Sequence, residues 1–297
     1  MKLTLIVLTS FYPAGRQALQ FADTLAGTVG GRLVLLHAKR ISFVDPYAFA
    51  GESWRRQELE SEAETEVQLT RMAGQLRSPA TVELATDLLP GLARDLAARY
   101  HPAVFVVGRP AAGKGIPEYV STIAMELLRA VNLPVLLVPV ETPARVVPQR
   151  VLIAADSEEF ALPDTHAGVQ HLLRALHPQL TVAHVSPLED DAGCVDALAA
   201  VQRSGLIAGL PAPAVRGYLH DEPAQGVVEA IRTGQPDLVL VLARAHSYLG
   251  ELFHRSVTAQ VIGSSPVPVL AVPATAPTRP PGGRPRRQAD ETLRWVD

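Results

Sequence analysis

The chain has 297 residues, of which 47% are hydrophobic and 19% are charged, a composition that suits two folded domains and excludes a disordered chain. A formal net charge of −3 argues against a nucleic-acid partner, because such binding depends on clustered positive charge. The single cysteine, Cys194, excludes a disulfide framework and a cysteine-based zinc site. No apolar run is long enough to cross a bilayer, and the apolar start Met1–Leu8 is followed by no cleavage site, so we predict a cytoplasmic protein without membrane contact.

Four short apolar segments occur twice in the same order, which predicts an internal repeat. Each run is continuously apolar rather than alternating, as in parallel strands that are buried on both faces. The first half is longer than the second between its second and third segments, and its extra residues fall within 41–66. The pairs are Leu3–Leu8 with Val151–Ala155, Arg32–Ala38 with Leu180–Val185, Ala103–Gly108 with Asp237–Leu242, and Leu133–Pro139 with Val267–Pro273.

The segments between these strands have apolar residues at helical spacing. The pattern is clear at Ala18, Ala22 and Leu25 after the first strand, and it recurs at Val169 and Leu172 in the second half. Further helices are predicted at 56–76, 89–99, 117–130, 192–205, 223–233 and 250–262. Alternating strands and helices with short connections predict an α/β fold. We expect two Rossmann-like domains, each a mainly parallel five-stranded sheet with helices on both faces.

The composition along the chain predicts the domain boundaries. Domain 1 spans residues 1–140, a polar linker containing proline spans 141–149, and domain 2 spans 150–274. Residues 275–297 are rich in Pro, Gly and Arg and are predicted to be a disordered tail.

The order of these features resembles the universal stress protein family in its tandem form, over both domains. The first strand runs into a polar turn, Thr9–Phe11, and then into an alanine-rich helix, and the second strand of each half ends in a histidine, His37 or His184. A loop of phosphate-binding type then follows strand four, and a Pro-Val-Leu strand closes each half. The stretch Phe253–Thr258 followed by Pro266–Leu270 is especially similar to the family. The resemblance implies domains of the adenine nucleotide alpha hydrolase type that pair through their last strands.

The resemblance also implies a nucleotide site at the carboxyl ends of the strands in each half, where doubly wound sheets bind ligands. Nucleotide-binding members of the family have an Asp at the end of strand one. They also have a Gly-x2-Gly-x9-Gly-Ser/Thr loop after strand four, whose main-chain N–H groups approach the phosphates. In the first half Ser10 stands at the Asp position. The loop reads Gly108, Ala111 and Ser121-Thr122, so it retains one of its three glycines and the hydroxyl of Thr122, while Ser121 stands at the third glycine position.

The second half retains the complementary set. Asp156 is present at the end of its first strand, and Ser256 supplies the loop hydroxyl. The glycine positions are occupied by Leu242, Ala245 and Arg255. The side chains of Leu242 and Arg255 are expected to occupy the space of a phosphate. Neither half therefore carries the full family pattern.

The stretch Gly108–Gly115 also matches a P-loop apart from its last position. Gly113, Lys114 and Gly115 follow a strand and precede a helix, but Gly115 replaces the hydroxyl that binds Mg²⁺ in a P-loop. We expect this loop to be able to hold an anion without hydrolysing it. ATP is therefore a candidate ligand of domain 1, which is the better nucleotide candidate of the two halves.

The remaining reactive side chains predict no metal site and no catalytic residue. His166, His171 and His177 have spacings that do not share a helix face. Cys194 has no activating base nearby in the sequence, and no nucleophile elbow occurs.

Three functions follow from these observations. The first is a non-enzymatic protein of stress adaptation that acts through an unidentified protein partner or weak ligand sensing. The second is an adenine-nucleotide-binding switch that uses the domain 1 loop, and the third is a nucleotide-hydrolysing enzyme. The two halves are expected to pair within the chain as a pseudo-dimer, and a homo-dimer of the chain is a further candidate assembly.

Overall fold

The computed structural model of the protein describes residues 2–40, 64–87, 90–110, 123–129, 132–163, 166–244, 256–277 and 294–296. Most of the predicted insertion at 41–66 lies outside these residues. The strands are β1 Thr4–Leu8, β2 Arg32–Arg40, β3 Ala80–Asp87, β4 Ala103–Arg109, β5 Val135–Pro139, β6 Arg150–Ala154, β7 Gln179–Ser186, β8 Ala214–Leu219, β9 Leu238–Arg244, β10 Val269–Ala274 and β11 Arg294–Val296.

Eight helical segments connect these strands within the described residues, and local sequence signals mark their ends. Helix α1 begins at Pro13, where a missing N–H has no cost, and ends before Gly30 with a φ of 62°. The helices are α1 Pro13–Val29, α2 64–74, α3 Pro90–Arg99, α4 123–129, α5 Ala167–Leu176, α6 Asp191–Arg203, α7 Pro223–Gly234 and α8 Val257–Ser264.

All described strands join one sheet of 11 strands in the order β11-β8-β7-β6-β9-β10-β5-β4-β1-β2-β3. Each half has its own parallel arrangement in which the order reverses between the first and fourth strands, at β1/β4 and at β6/β9. The halves meet where β10 pairs antiparallel with β5, with Leu270 opposite Leu136. Because this pairing is antiparallel, the strands of the two halves run in opposite directions. Their carboxyl ends therefore lie at opposite ends of the strands in the common sheet.

Each face of the sheet carries one apolar core that continues across both halves. On one face α1, α2, α5 and α6 pack over the sheet through residues such as Leu25, Leu172 and Val201. On the other face α3, α4, α7 and α8 do the same, through residues such as Leu128 and Ile231. Burial of the strands on both faces explains why their sequences are continuously apolar.

A buried arginine connects the halves at the edge where β4 ends. The Arg109 side chain is 3% exposed; its Nη1 donates to Gly263 O at 3.2 Å and its Nη2 to Ser265 O. These carbonyls lie at the C-terminal end of α8, where unpaired acceptors and a partial negative charge favour a cation. Burial lowers the pKa of Arg109, while the attraction of Glu141 raises it. The equivalent residue by strand register is Ala243, so this bridge breaks the symmetry between the halves.

The predicted fold class is confirmed: both halves are mainly parallel α/β units with helices on both faces. The third strands, β3 and β8, were not located by sequence, because they lie near the sheet edges and include polar residues. The prediction of a disordered tail over 275–297 differs from the structure at β11, which pairs in parallel with β8. This pairing satisfies main-chain groups that an edge strand leaves open. Within the described residues, no helix is long and apolar enough to cross a membrane.

Candidate functional site

A cavity of about 240 Å³ opens at the carboxyl ends of β6, β7 and β9. It lies at the point where the strand order of the second half reverses, which is where doubly wound sheets bind ligands. Its walls are largely apolar, with Ala154, Val185 and Val241 from the strands and Val227 from α7. The volume is below the ~300–1,000 Å³ of common small-molecule sites, so the described walls fit a ring-sized group rather than a whole nucleotide.

Asp156 and Arg244 are the charged groups among the described residues that line this cavity, and they bind each other. Arg244 Nη2 donates to Asp156 Oδ1, and Arg244 Nη1 donates to Glu158 Oε2 at 3.2 Å. The Arg244 side chain is 17% exposed, and its guanidinium lies 6.0 Å from the ring centre of Phe160. A ligand that uses Asp156 must therefore compete with Arg244 for the carboxylate.

Ser256 lies at the N-terminal end of α8, beside the same cavity. Its Oγ accepts a hydrogen bond from Ala259 N at 3.1 Å, so its oxygen caps the helix and its hydrogen remains available to donate. The next two residues, Val257 and Thr258, line the cavity. The partial positive charge of the helix N-terminus thus borders the cavity, and the predicted contact of Ser256 with a phosphate stays a prediction.

In the first half, the N-terminal end of α1 packs closely against Ser10, which follows β1, and against Gly108 of β4. A Cβ added at Gly15 would lie 2.9 Å from Ser10 N and closer to Ser10 Oγ. A Cβ added at Gly108 would lie 2.9 Å from Gly15 N and closer to the carbonyl of Ala14. Gly108 is therefore required for the approach of α1 to β4. This packing gives Gly108 a structural role that does not depend on a phosphate.

The rest of the predicted first-half loop cannot be placed beside these residues. Gly113, Lys114, Gly115, Ser121 and Thr122 lie outside the described residues. The ATP site predicted for domain 1 therefore stays a prediction.

Two of the second-half loop positions, Ala245 and Arg255, likewise lie outside the described residues. The third, Leu242, lines the cavity.

The histidines at the ends of the second strands have structural contacts. His37 Nδ1 lies 3.0 Å from Thr9 O, and its ring packs against Phe11 with centroids 5.4 Å apart. His184 Nε2 lies 3.5 Å from Asp190 Oδ2, at the start of α6. Within the part of the chain that the structure describes, no group of three His, Cys, Asp or Glu side chains is placed to hold a metal ion.

Cys194 is buried in α6. Burial and the nearby carboxylates of Asp191 and Asp190 raise the pKa of its thiol to about 11. The thiolate that nucleophilic chemistry requires is therefore scarce at neutral pH.

Sequence reasoning missed Arg244, which changes the meaning of Asp156. Arg244 occupies a variable position of the family loop, so the spacing pattern assigns it no role. The sequence nevertheless contained a signal. Arg244 is a basic residue at the carboxyl end of β9, and Asp156 is an acidic residue just after the carboxyl end of the neighbouring parallel strand β6, so the two are expected to lie close together. Register pairs Ala154 with Val241 in these two strands.

Solved structures of other proteins share this fold. A universal stress protein from Archaeoglobus fulgidus superposes with a TM-score of 0.65 at 16% identity, covering 91% of this chain and 98% of that one. A functionally unknown protein from Pseudomonas aeruginosa superposes with a TM-score of 0.53 at 15% identity, covering 92% of each chain. At these identities the likeness shows the fold alone.

Sequence comparison adds a family. No curated protein sequence matches the chain significantly, but the sequence model of the universal stress protein family matches residues 148–273. That match contains β6 to β9 and nearly all of β10, together with the cavity and Asp156. The first half repeats the same strand order as the matched half. The second half of the chain, residues 148–273, therefore carries a domain of the universal stress protein family.

Proposed function

We propose that this protein acts in stress adaptation by sensing a small ligand weakly in its second half, without turning it over, and that it does so in the cytoplasm. The observation that carries the proposal is the Asp156–Arg244 ion pair at the mouth of an apolar cavity. The cavity supplies room for a ring-sized group, and the ion pair makes ligand entry depend on separating two charges. The energy of that separation is subtracted from the binding energy, so the affinity is low.

The chemistry of the described lining favours binding over catalysis. Asp156 already accepts a hydrogen bond from the Arg244 guanidinium, so a reacting group that needs this carboxylate must displace Arg244. The Thr258 hydroxyl donates to Leu242 O at 3.5 Å and is not next to a base among the described residues. An adenine nucleotide or nucleoside is the proposed ligand class, because the family pattern places its nucleoside beside Asp156.

Thermal unfolding with ATP and Mg²⁺ tests this proposal in the wild-type protein and in Arg244→Ala. At a ligand concentration about five times Kd, the stabilisation is about RT ln 6, or ~1 kcal/mol. Removal of Arg244 frees Asp156, so we expect the variant to show a larger thermal shift than the wild type. Arg232→Ala is the matched control, since Arg232 forms an exposed ion pair with Glu229 on α7. Equal ligand-induced shifts of Tm in the wild type and in Arg244→Ala would refute the proposed role of the ion pair.

Two further measurements separate the alternatives. A wild-type shift that Lys114→Ala abolishes, and that Asp156→Asn leaves unchanged, would move the nucleotide site to domain 1 and favour the switch. Phosphate release from ATP above the uncatalysed background would establish an enzyme and refute the non-enzymatic proposal. If neither ATP nor adenosine raises the Tm of the wild type or of any variant, the ligand-sensing proposal is refuted, and action through a protein partner remains as the alternative.

A further inference from the structure

A second cavity, of about 510 Å³, lies on the helical surface of the first half. It is bounded by α1, by α2 and by residues 144–145, which follow β5. Four arginines line it: Arg16 on α1, Arg71 on α2, Arg77 just after α2, and Arg145. We call this cavity the arginine groove. Its volume lies within the ~300–1,000 Å³ of small-molecule sites.

The four guanidinium groups of the groove are not neutralised by ion pairs within the described structure. All four side chains are exposed, and none of them forms an ion pair with another described residue. Like charges held around one concavity repel each other and raise the local concentration of anions. Arginine in particular offers a planar fork of donors that matches carboxylate and phosphate groups.

The one carboxylate among the described lining residues, Asp23, is already used by the main chain. Asp23 Oδ1 accepts from Ser78 N at 2.9 Å, and Oδ2 accepts from Arg77 N at 3.1 Å. These bonds hold the turn between α2 and β3 against α1. Asp23 thus positions the Arg77 backbone and forms no ion pair with the guanidinium groups of the groove, so the described lining residues carry four positive charges and one negative charge.

The floor of the groove is apolar. Leu19 is 3% exposed, and Met72 and Leu76 pack against the same core; Phe11 completes the apolar lining at one end. The walls carry amide groups as well, from three glutamines: Gln20, Gln68 and Gln75. An arginine rim over an apolar floor suits a molecule that has both an anionic part and an apolar part.

The second half is arranged differently at the corresponding helices, α5 and α6. Gly30 follows the last residue of α1 and His177 follows the last residue of α5, and each has a left-handed backbone conformation. Aligning the two helices on these residues places Gln170 at the position of Asp23. Gln170 Nε2 donates to Gly205 O at 2.7 Å, and Arg174 Nε donates to Ala208 O at 3.0 Å. There the long polar side chains are satisfied by the segment after α6, whereas the first half leaves its arginines around a cavity.

We propose that the arginine groove is a binding site for a small organic polyanion, one that carries phosphate or carboxylate groups and an apolar part of about one or two rings. The arginines bind the anionic groups, and Leu19, Met72 and Leu76 contact the apolar part. This site shares no residue with the cavity of the second half, and it does not depend on nucleotide sensing there.

Isothermal titration of the full chain at low salt tests the proposal with three probes: inorganic tripolyphosphate, 1-naphthyl phosphate and inorganic phosphate. We expect submillimolar binding of tripolyphosphate that weakens as salt rises, because the contacts are solvent-exposed and screened. We expect 1-naphthyl phosphate to bind at least about tenfold more tightly than inorganic phosphate, because its rings bury apolar surface on the floor.

The double variant Arg71→Gln/Arg145→Gln should lose at least about tenfold in affinity for tripolyphosphate, and Arg16→Gln should lose part of it. Arg94→Gln is the matched control, because Arg94 is exposed on α3, across the sheet from the groove. Circular dichroism and thermal unfolding verify that each variant is folded. The proposal is overturned if the wild type binds tripolyphosphate no better than millimolar, or if Arg94→Gln weakens binding as much as the double variant. Equal affinities for naphthyl and inorganic phosphate would refute the role of the apolar floor.

Discussion

Replacing Arg109 by Met tests whether the two halves are joined by a buried charge as well as by apolar packing. The guanidinium leaves β4, crosses to the second half and donates to Gly263 O and Ser265 O. Met retains an unbranched apolar chain as far as the Nε position of Arg, so the substitution removes the donors and leaves unfilled only the volume of the guanidinium carbon and its two terminal nitrogens. The carbonyls at the end of α8 then lose their partner.

The magnitude follows from two opposing contributions. Hydrogen bonds from a charged donor contribute ~1.5–3 kcal/mol each, so the two bonds across the interface contribute ~3–6 kcal/mol before burial is considered. Burial opposes this, since it lowers the pKa of Arg109, which means that the charged form is less favourable inside the protein than in water. Desolvation of a buried ion costs several kcal/mol. We therefore expect Arg109→Met to lower the free energy of unfolding by ~2 kcal/mol, or ~4 °C in Tm for a chain of this size.

Urea unfolding followed by circular dichroism measures this change directly. Arg232→Met serves as the control, because Arg232 is 74% exposed in its ion pair with Glu229 and such pairs contribute ~0–1 kcal/mol. We expect a single transition in the wild type, since each apolar core spans both halves. An Arg109→Met midpoint equal to that of Arg232→Met would refute the bridge, and a more stable variant would show that desolvation outweighs the hydrogen bonds.

Three further changes test the packing of the strands and of α6. Gly108→Ala should lower the free energy of unfolding by ~1–3 kcal/mol, because its Cβ would overlap the carbonyl of Ala14; Gly91→Ala, with open space around it, should not. Cys194, with a pKa of about 11, should react with a thiol reagent at about pH 8 only after unfolding. Because the folded state disfavours its thiolate, the free energy of unfolding should be highest below about pH 9 and fall as the pH rises to about 11, an effect absent in Cys194→Ala; an equal pH dependence in both proteins would contradict this. Leu136→Asp should abolish the cooperative unfolding transition, because the carboxylate would be buried opposite Leu270; retention of the wild-type midpoint would show that the strand pairing tolerates a charge.

Much of the fold could be predicted because its signal is local. Continuous apolar runs such as Ala103–Gly108 indicate strands buried on both faces, and their repetition indicates two similar halves. The third strands were harder to locate, since β3 and β8 lie towards the edges, where alternating polar residues resemble loops. The strand at Arg294–Val296 was not predicted for a related reason. Its pairing partner, β8, is distant in sequence, and the Pro- and Gly-rich segment before it has no pattern that indicates a strand.

The candidate site was only partly accessible from the sequence. Asp156 and Ser256 could be selected by their places in the family pattern. Asp156 lines the cavity, and Ser256 caps α8, the helix whose first residues line the same cavity. The meaning of Asp156 depended on Arg244, which lies far along the chain and joins it only because β6 and β9 are neighbours. Gly108 presented the reverse case, since its place in a phosphate-loop pattern concealed a packing role that only the approach of α1 reveals.

The sequence by itself determined the class of fold, the repeat and the absence of a disulfide framework, because these depend on residue type and spacing along the chain. Only the tertiary structure decided which charges meet. In the folded protein Arg244 pairs with Asp156, Arg109 binds carbonyl groups at the end of α8, and four arginines line one groove. Coulomb and hydrogen-bond energies depend on distances in space, and those distances are set by strand order and helix packing rather than by separation along the chain.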